Sequence, residues 1–133
     1  MQNRRAMEVF RKTTDHQMEK VLKAIELFRA YDPEMPAQVM SVFLYIASHN
    51  DCSKLQLQDS EEGLNMPSAS ASRNTDWLSH KHRLGKQGLN LVVKYRDDTD
   101  KRKQIMKLSS QGLFLVEQLR NILYGENYME RVP

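Results

Sequence analysis

Residues 68–73 carry small hydroxyl side chains and one cation, in the order Ser-Ala-Ser-Ala-Ser-Arg. Small residues at the start of a helix let hydroxyls and backbone approach phosphates or base edges, and the helix N-terminus itself attracts phosphate. Arg73, one turn later, can hydrogen-bond a guanine or a phosphate. The segment is therefore a candidate surface for contacts with a polyanion, with a flexible loop as the alternative interpretation.

Three consecutive cations, Lys101, Arg102 and Lys103, form a second candidate segment. They follow the run Asp97-Asp98-Thr99-Asp100, which is typical of a turn between two strands, so we expect the cations on a hairpin tip. Such a tip has the shape to enter or straddle a minor groove, where the negative potential is strong.

The stretch that contains both segments is basic. From Pro67 to Lys107 there are 10 basic and 4 acidic residues, a net charge of +6, whereas the whole chain carries +3. Only the contacting face of a nucleic-acid-binding protein needs this attraction, so a basic middle in a mildly acidic frame fits a local polyanion-binding surface. A merely solvated charged face is the alternative.

Other residue types suited to chemistry have simpler explanations. Asp97, Asp98 and Asp100 could hold a magnesium ion, but a turn explains them more cheaply. His80 and His82 point in different directions on a helix and have no evident third ligand, so we expect neither a metal site nor a cofactor.

Cys52 is the single cysteine, cannot form an internal disulfide, and is expected to be buried or idle. Glu61, Glu62 and Glu117 have no paired His, Ser or Cys at suggestive spacing. The sequence therefore contains no acid, base and nucleophile set, and we do not expect an enzyme.

Length and composition predict one globular domain. The chain has 133 residues, of which 40% are hydrophobic and 28% charged. Its longest uncharged apolar run, residues 39–47, is about half of what a membrane span needs. Charged residues follow the first methionine without the apolar stretch of a secretory signal, so we expect a cytoplasmic protein with no membrane partner.

Apolar spacings of three and four residues predict two helices in the first half of the chain. One is marked by Met18, Val21, Leu22, Ile25 and Phe28, the other by Val39, Val42, Phe43 and Ile46. Thr14 and Gln17 match a capping box for the first, and Met7 and Phe10 suggest a further helical turn or an arm. Prolines at 33 and 36 separate the two helices, and residues 49–51 predict a stop and a turn.

A short helix is expected within residues 53–64, and Met66-Pro67-Ser68 indicates the start of another. That helix would turn Ala71, Thr75 and Leu78 inward and Ser68, Ser72, Arg73 and Asp76 outward. Trp77, at its rear, is interpreted as a packing residue rather than a base-stacking one.

Alternation then predicts a β-hairpin, with strands at 88–96 and 102–108 and with Leu89, Leu91, Val93 and Tyr95 on one face. A last helix follows, capped by Ser109 or Ser110 and stopped at Gly125. Its apolar residues are Leu113, Val116, Leu119, Ile122 and Leu123, and Phe114 and Leu115 widen that face. A helix this apolar predicts a second partner surface.

This order of helices and hairpin is that of a winged helix-turn-helix. The chain resembles the MarR family of bacterial regulators in Leu64 to Arg73, Asp76-Trp77-Leu78, Gly88-Leu89, Asp100-Lys101-Arg102, Leu108-Ser109 and Gly112. It departs from the family in Ser60, where an apolar residue is usual, and in the longer link Ser79 to Gln87. The resemblance implies that Asp100 braces Arg102 and leaves Lys101 nearer to DNA. It also implies a bacterial or phage origin and an effector ligand that the sequence does not identify.

We therefore predict a mainly α protein with a small β-hairpin, a winged helix-turn-helix with N- and C-terminal dimerisation helices. Residues 1–133 form the single domain, with dimerisation helices in 1–30 and 109–133 and a DNA-binding lobe in 36–108. The expected function is that of a homodimeric, sequence-specific, double-stranded-DNA-binding transcriptional regulator. A winged-helix interaction module that docks on a polymerase or replication factor is the alternative. The residues expected to contact DNA are Ser68, Ala69, Ser70, Ser72, Arg73, Arg96, Lys101, Arg102 and Lys103.

Overall fold

The computed structural model of the chain describes residues 15–80 and 87–125. Within these ranges five helices and a three-stranded antiparallel sheet follow one another, which confirms the predicted mainly α fold with a hairpin wing. None of the helices in these ranges is both long and apolar enough to cross a bilayer. The elements are α1 (His16–Tyr31), α2 (Ala37–Ser48), β1 (Cys52–Ser53), α3 (Lys54–Gln58), α4 (Ser68–Leu78), β2 (Val92–Arg96), β3 (Gln104–Leu108) and α5 (Ser110–Tyr124).

The ends of the first two helices follow from local chemistry. The Asp15 carboxylate accepts the backbone N–H groups of Gln17 and Met18 and caps α1, so the predicted capping box of Thr14 and Gln17 is wrong. An aspartate directly before the helix reaches these amides, which a residue one position earlier would not reach as well. Thr14 itself, together with Met7 and Phe10, lies outside the described residues. Pro36 precedes α2, as the sequence indicates.

The sheet has the strand order β1-β3-β2. The predicted hairpin is its larger part, with Val92 opposite Leu108 and Arg96 opposite Gln104. The two-residue strand β1 adds a third member through Cys52, which pairs with Met106. An alternation pattern cannot reveal a strand of two residues, so the sequence predicts only a two-stranded ribbon here.

The predicted face of β2 is wrong. The strand begins at Val92, whose side chain is 1% exposed, whereas Val93 is 39% exposed and Tyr95 is also exposed. Asn90 adopts a left-handed backbone with φ of 56°, which interrupts the extended run between Leu89 and the strand. Because of this break, Leu91 and Val92 are both buried, and the strict alternation that we predicted from residue 88 does not hold.

The hydrophobic core lies between the helices and the inner face of the sheet. Phe28 of α1 meets Phe43 of α2 edge to face, with ring centroids 5.8 Å apart. Further members come from every element of the fold, among them Val39, Val42, Ile46, Leu57, Ala71, Leu78, Leu91, Met106 and Leu115.

Helix α5 packs on this core through Gly112, Leu115 and Leu119. The sequence predicts one apolar face that contains Leu113 and that Leu115 only widens, whereas in the structure Leu113 is exposed and Leu115 is fully buried. This difference in which side chains are buried has a physical cause at Gly112, where a Cβ atom would lie 2.1 Å from the carbonyl oxygen of Leu91. Only glycine lets the helix approach the chain there, and this contact sets which face turns inward.

The N-terminus of α5 is fastened to the start of the hairpin. The Ser109 hydroxyl accepts the Gly112 N–H at 3.0 Å, which confirms the predicted cap, and donates to the Asn90 carbonyl at 2.7 Å. The Ser109 N–H donates to the Leu91 carbonyl at 3.0 Å. Gly125 ends the helix with a φ of 98°, as predicted.

Cys52 is buried against the core, as expected. Burial raises the pKa of its thiol to about 11, so little thiolate forms near neutral pH. The side chain therefore behaves as a small apolar core residue.

Candidate nucleic-acid interface

Helix α4 presents the serine-rich segment at its first turn. Pro67 occupies the N-cap, and no side chain of the described residues caps the helix through a hydrogen bond. Ser68 and Ala69 are exposed there, while Ala71, Thr75 and Leu78 are buried as predicted. The first-turn amides of such a helix, which have no partners within the helix, face the surface where an anion can accept from them.

Arg73 lies one turn further along the same exposed side of α4. Its Nη2 atom donates to the Ser70 hydroxyl at 3.2 Å, which holds the guanidinium next to the first turn. Because Arg73 is exposed, its other guanidinium donors can meet a base edge or a phosphate.

The rear of α4 is fixed by buried polar contacts. Asn74 donates from Nδ2 to the Gln38 side chain of α2 at 2.9 Å and to the Met66 sulfur at 3.3 Å. Thr75 donates its hydroxyl back to the Ala71 carbonyl at 2.8 Å. The bond of Asn74 to Gln38 holds α4 against α2 in a helix-turn-helix arrangement, whereas the Thr75 bond lies within α4.

The wing consists of β2, β3 and the turn that joins them, residues 97–103. The Asp97 carboxylate accepts both the N–H and the hydroxyl of Thr99, at 2.9 and 2.8 Å, and these hydrogen bonds hold the pKa of Asp97 below its ordinary value. Asp100 accepts the backbone N–H of Arg102 at 3.1 Å and its Nε at 3.3 Å. The acidic residues therefore fold the turn, as the turn interpretation predicts.

The contact between Asp100 and Arg102 is the one that the family resemblance implies. It leaves the side chain of Arg102 93% exposed, because only Nε is engaged. Lys101 and Lys103 are exposed beside it. The wing tip thus presents three cations on a turn that its own carboxylates hold in shape.

The serine-rich helix and the cationic wing meet at one cleft of about 470 Å³. Its lining residues come from α4, from the wing, and from β1 and α3. They are Ser68 and Ser72, then Arg96, Arg102, Lys103 and Gln104, and then Ser53, Lys54, Leu55 and Gln58. The structure therefore places side by side two segments that lie far apart in the chain.

Five of the nine predicted contact residues line the cleft. The other four, Ala69, Ser70, Arg73 and Lys101, do not line it. They lie on the adjoining surfaces, three of them on α4 and one at the wing tip.

Four cations line the cleft, and the described residues that line it include no carboxylate. One of the four, Lys54, is absent from the sequence prediction. It follows Ser53, which caps α3 through a capping box with Gln56, and this box is the sequence signal that could have placed Lys54 at a helix start. A cleft with this charge attracts phosphate.

Helix α4 and the wing form one unit, which we call the reading unit. Backbone N–H groups of Leu89 and Leu91 donate to the carbonyls of Trp77 and Leu78, at 3.0 and 2.8 Å. Lys94 of β2 also forms an ion pair with Asp76 of α4, and the two side chains are only 15% and 28% exposed. These contacts fix the angle between helix and wing.

Gly88 explains how the chain comes back so closely to α4. Its N–H donates to the His80 carbonyl at 3.1 Å, and a Cβ there would lie 1.8 Å from the Ser79 carbonyl oxygen. Most of the predicted long link Ser79 to Gln87, including His82, lies outside the described residues.

Trp77 occupies the rear of α4, as predicted. The ring is partly buried and packs against the core. Its Nε1 atom donates to the Asp32 carboxylate at 2.7 Å. In the part of the chain that the structure describes, no three His, Cys, Asp or Glu side chains are grouped to hold a metal ion.

Helices α1 and α5 pack against each other and form what we call the frame. The Tyr31 hydroxyl donates to the Gln118 side chain at 2.7 Å, and Lys20 donates to the Leu123 carbonyl at 3.1 Å. Their other faces are apolar and exposed, with Met18 60% and Phe114 62% accessible. The further exposed members are Val21, Leu22, Ile25, Leu113, Leu123 and Tyr124.

Comparison with known proteins identifies the fold. No family model matches the chain, and no curated protein matches it. Among solved structures, S. aureus MepR in complex with DNA aligns with a TM-score of 0.62 at 18% identity, over 93% of this chain and 89% of that one. A mutant MepR from a multidrug-resistant S. aureus clinical isolate aligns with a TM-score of 0.61 at 20% identity, over 95% and 78%.

A mutant E. coli MarR complexed with operator DNA aligns with a TM-score of 0.55 at 18% identity, over 85% of this chain and 74% of that one. The likenesses to MepR and MarR confirm the predicted fold. The chain has the MarR-like winged helix-turn-helix architecture.

Removal of the Lys94 charge should loosen the reading unit. We expect Lys94→Met to lower the free energy of unfolding by about 1–3 kcal/mol, because Asp76 is left partly buried without its cation. Urea denaturation measures the loss. Lys23→Met is the matched control, since Lys23 forms an exposed ion pair with Glu19 and should show no measurable change. Equal unfolding midpoints for the two variants would contradict the assignment.

Proposed function

We propose that the chain is a homodimeric transcriptional regulator that binds double-stranded DNA at specific sequences. The observation that carries the proposal is the cleft in which Ser68 and Ser72 of α4 face Arg96, Arg102 and Lys103 of the wing. The MepR and MarR structures that share this fold and were solved with DNA support it.

In this proposal the first turns of α4 enter a major groove. The small side chains of Ser68 and Ala69 let the helix approach the base edges closely, and Arg73 supplies the directional donors that recognise a guanine. Since α4 is fixed against α2 by Asn74, its approach to the groove is set before DNA arrives. Preorganisation of this kind reduces the entropic cost of binding.

The cations of the cleft then hold the sugar-phosphate backbone that borders the groove. Lys54 of α3 and Arg96 at the end of β2 both line the cleft, and in this proposal they contact phosphates there. These contacts position the duplex and carry no sequence information of their own.

The wing tip extends the grip to the adjacent minor groove. Asp100 restrains Arg102 through Nε, and Lys101 remains exposed at the tip and is the cation that we assign to the minor groove. The carboxylates of the turn lower the local positive charge, and one oxygen each of Asp97 and Asp100 accepts from donors of the turn itself.

Dimerisation is proposed through the frame. Eight large apolar side chains of α1 and α5 are exposed, which supports a second copy of the chain as their partner, and a two-fold axis would cover both faces at once. Such a dimer presents two copies of α4 to half-sites about 34–36 Å apart along the duplex, so its operator should be palindromic. Three further points stay predictions. They are the division into dimerisation helices and a DNA-binding lobe, the cytoplasmic location, and control by a small molecule.

Charge reversal at the wing tip tests DNA binding. We expect Lys101→Glu combined with Arg102→Glu to weaken binding to a selected duplex by roughly 100-fold or more. The reason is that two cations at the groove are replaced by carboxylates, which repel the DNA phosphates. The slope of log affinity against log salt should also become shallower by roughly 0.9 for each phosphate that the variant no longer neutralises. Fluorescence anisotropy across a salt series measures both.

The control for this experiment carries the same change of charge elsewhere. Lys23→Glu with Arg29→Glu replaces two exposed cations of α1 that lie outside the reading unit and do not line the cleft, and it should retain most of the affinity. Absence of any duplex binding by the unmodified protein at low salt would refute the regulator proposal and favour the protein-docking alternative. Full binding by the wing-tip variant would show that the wing is misassigned.

A second prediction concerns the frame. Leu22→Glu places a charge in the exposed apolar face of α1, so we expect light scattering to show the mass of one chain instead of two. Leu44→Glu is the matched control, because Leu44 is a similarly exposed leucine on α2 and should leave the dimer intact. A dimer that survives Leu22→Glu would exclude this face as the contact.

A further inference from the structure

Asp32 joins three parts of the molecule directly after the end of α1. Its backbone N–H donates to the Phe28 carbonyl at 3.1 Å and closes the helix. One carboxylate oxygen, Oδ1, accepts the Glu34 N–H at 3.0 Å, and the other, Oδ2, accepts the indole N–H of Trp77 at 2.7 Å. The two oxygens of one carboxylate thus serve a local turn and a distant helix at the same time.

The distant partner belongs to the reading unit. Trp77 is on α4, between Asp76, which pairs with Lys94 of the wing, and Leu78, whose carbonyl accepts from the chain that leads into β2. On the other side, Tyr31 precedes Asp32 and bonds α5 through Gln118. The Tyr31 bond stays within the frame, and Asp32 connects the frame to the reading unit.

A second connection between the same two bodies lies elsewhere. Ser109, at the start of α5, bonds to Asn90 and Leu91, where the chain enters the wing. One attachment between two rigid bodies leaves rotation about it free, whereas two separate attachments fix an angle. Burial of apolar surface is not directional, but a short hydrogen bond to a carboxylate is.

We propose that the bond between Asp32 and Trp77 is a positioning contact that sets the orientation of the reading unit on the frame. In the dimer this orientation decides how far apart the two α4 helices stand, and hence which spacing between DNA half-sites is accepted. The inference rests on the proposed function, and Asp32 acts through Trp77 without touching DNA.

Two variants remove the bond from opposite sides. In Asp32→Asn one oxygen remains, and if it keeps the Glu34 N–H, the amide NH₂ faces the indole N–H as a second donor. Trp77→Phe removes the indole donor and keeps an aromatic ring in the core. Because both changes break the same bond, the double variant should be no worse than the worse single one.

The experiment compares operators of different spacing. The unmodified full chain first selects its operator from random duplexes, and then duplexes with one base pair added or removed between the half-sites are compared with it. We expect the preference for the selected spacing to fall by about 3-fold or more in each single variant, the size of one directional hydrogen bond. Affinity for a duplex with a single half-site should stay within about 2-fold, because neither variant changes a residue that we assign to DNA contact.

Tyr31→Phe is the matched control. It removes the hydroxyl that bonds α1 to α5 inside the frame, so it should leave the spacing preference unchanged. Thermal melting of each variant verifies that it is folded, and Asp32→Asn, which keeps the core intact, decides the matter if Trp77→Phe does not fold.

The outcomes are distinct. An unchanged spacing preference in Asp32→Asn overturns this inference and leaves the proposed function standing. An equal loss of affinity for the duplex with a single half-site also overturns it, since the bond would then act on the local structure of α4 and not on the orientation of the reading unit. A chain that binds no duplex at all overturns the proposed function, and this inference with it.

Discussion

The rigid attachment of the wing to α4 is the constraint on which the rest of the structure depends. The chain returns from the end of α4 along Gly88, and backbone hydrogen bonds at Leu89 and Leu91 tie it to that helix before β2 begins. The ion pair of Lys94 with Asp76 adds a contact further along the strand. The helix, which is suited to base edges, and the ribbon, which is suited to phosphates, consequently have a fixed orientation relative to each other. The cleft between them follows from this geometry.

The cleft and the frame have different kinds of surface. Cations and hydroxyls surround the cleft, whereas the exposed faces of α1 and α5 are apolar. Among the residues that the structure describes, hydrogen bonds of Ser109 at the base of the wing and of Asp32 behind α4 connect the two regions. The cleft and the exposed apolar faces therefore lie on separate parts of the molecule that directional hydrogen bonds connect.

Local patterns in the sequence predict much of this arrangement. Apolar periodicity locates α1, α2 and α4, and the aspartate run identifies the turn of the wing, because these features depend on neighbours in the chain. The inward face of β2 is not predictable in this way, since a left-handed Asn90 changes the alternation. Lys54 was missed because a five-residue helix gives almost no periodic signal, and the bond of Asp32 to Trp77 joins residues with no local relation.

The most direct test of the account locates α4 and the wing on one duplex. Cys52 is buried with a thiol pKa of about 11, so a single cysteine introduced by Ser72→Cys or by Lys103→Cys can be labelled selectively with a DNA-cleaving chelate. Both labelled proteins should cut the same half-site, at positions within about half a helical turn of each other. Cleavage from only one of the two positions, or cuts in different half-sites, would contradict a common grip by helix and wing.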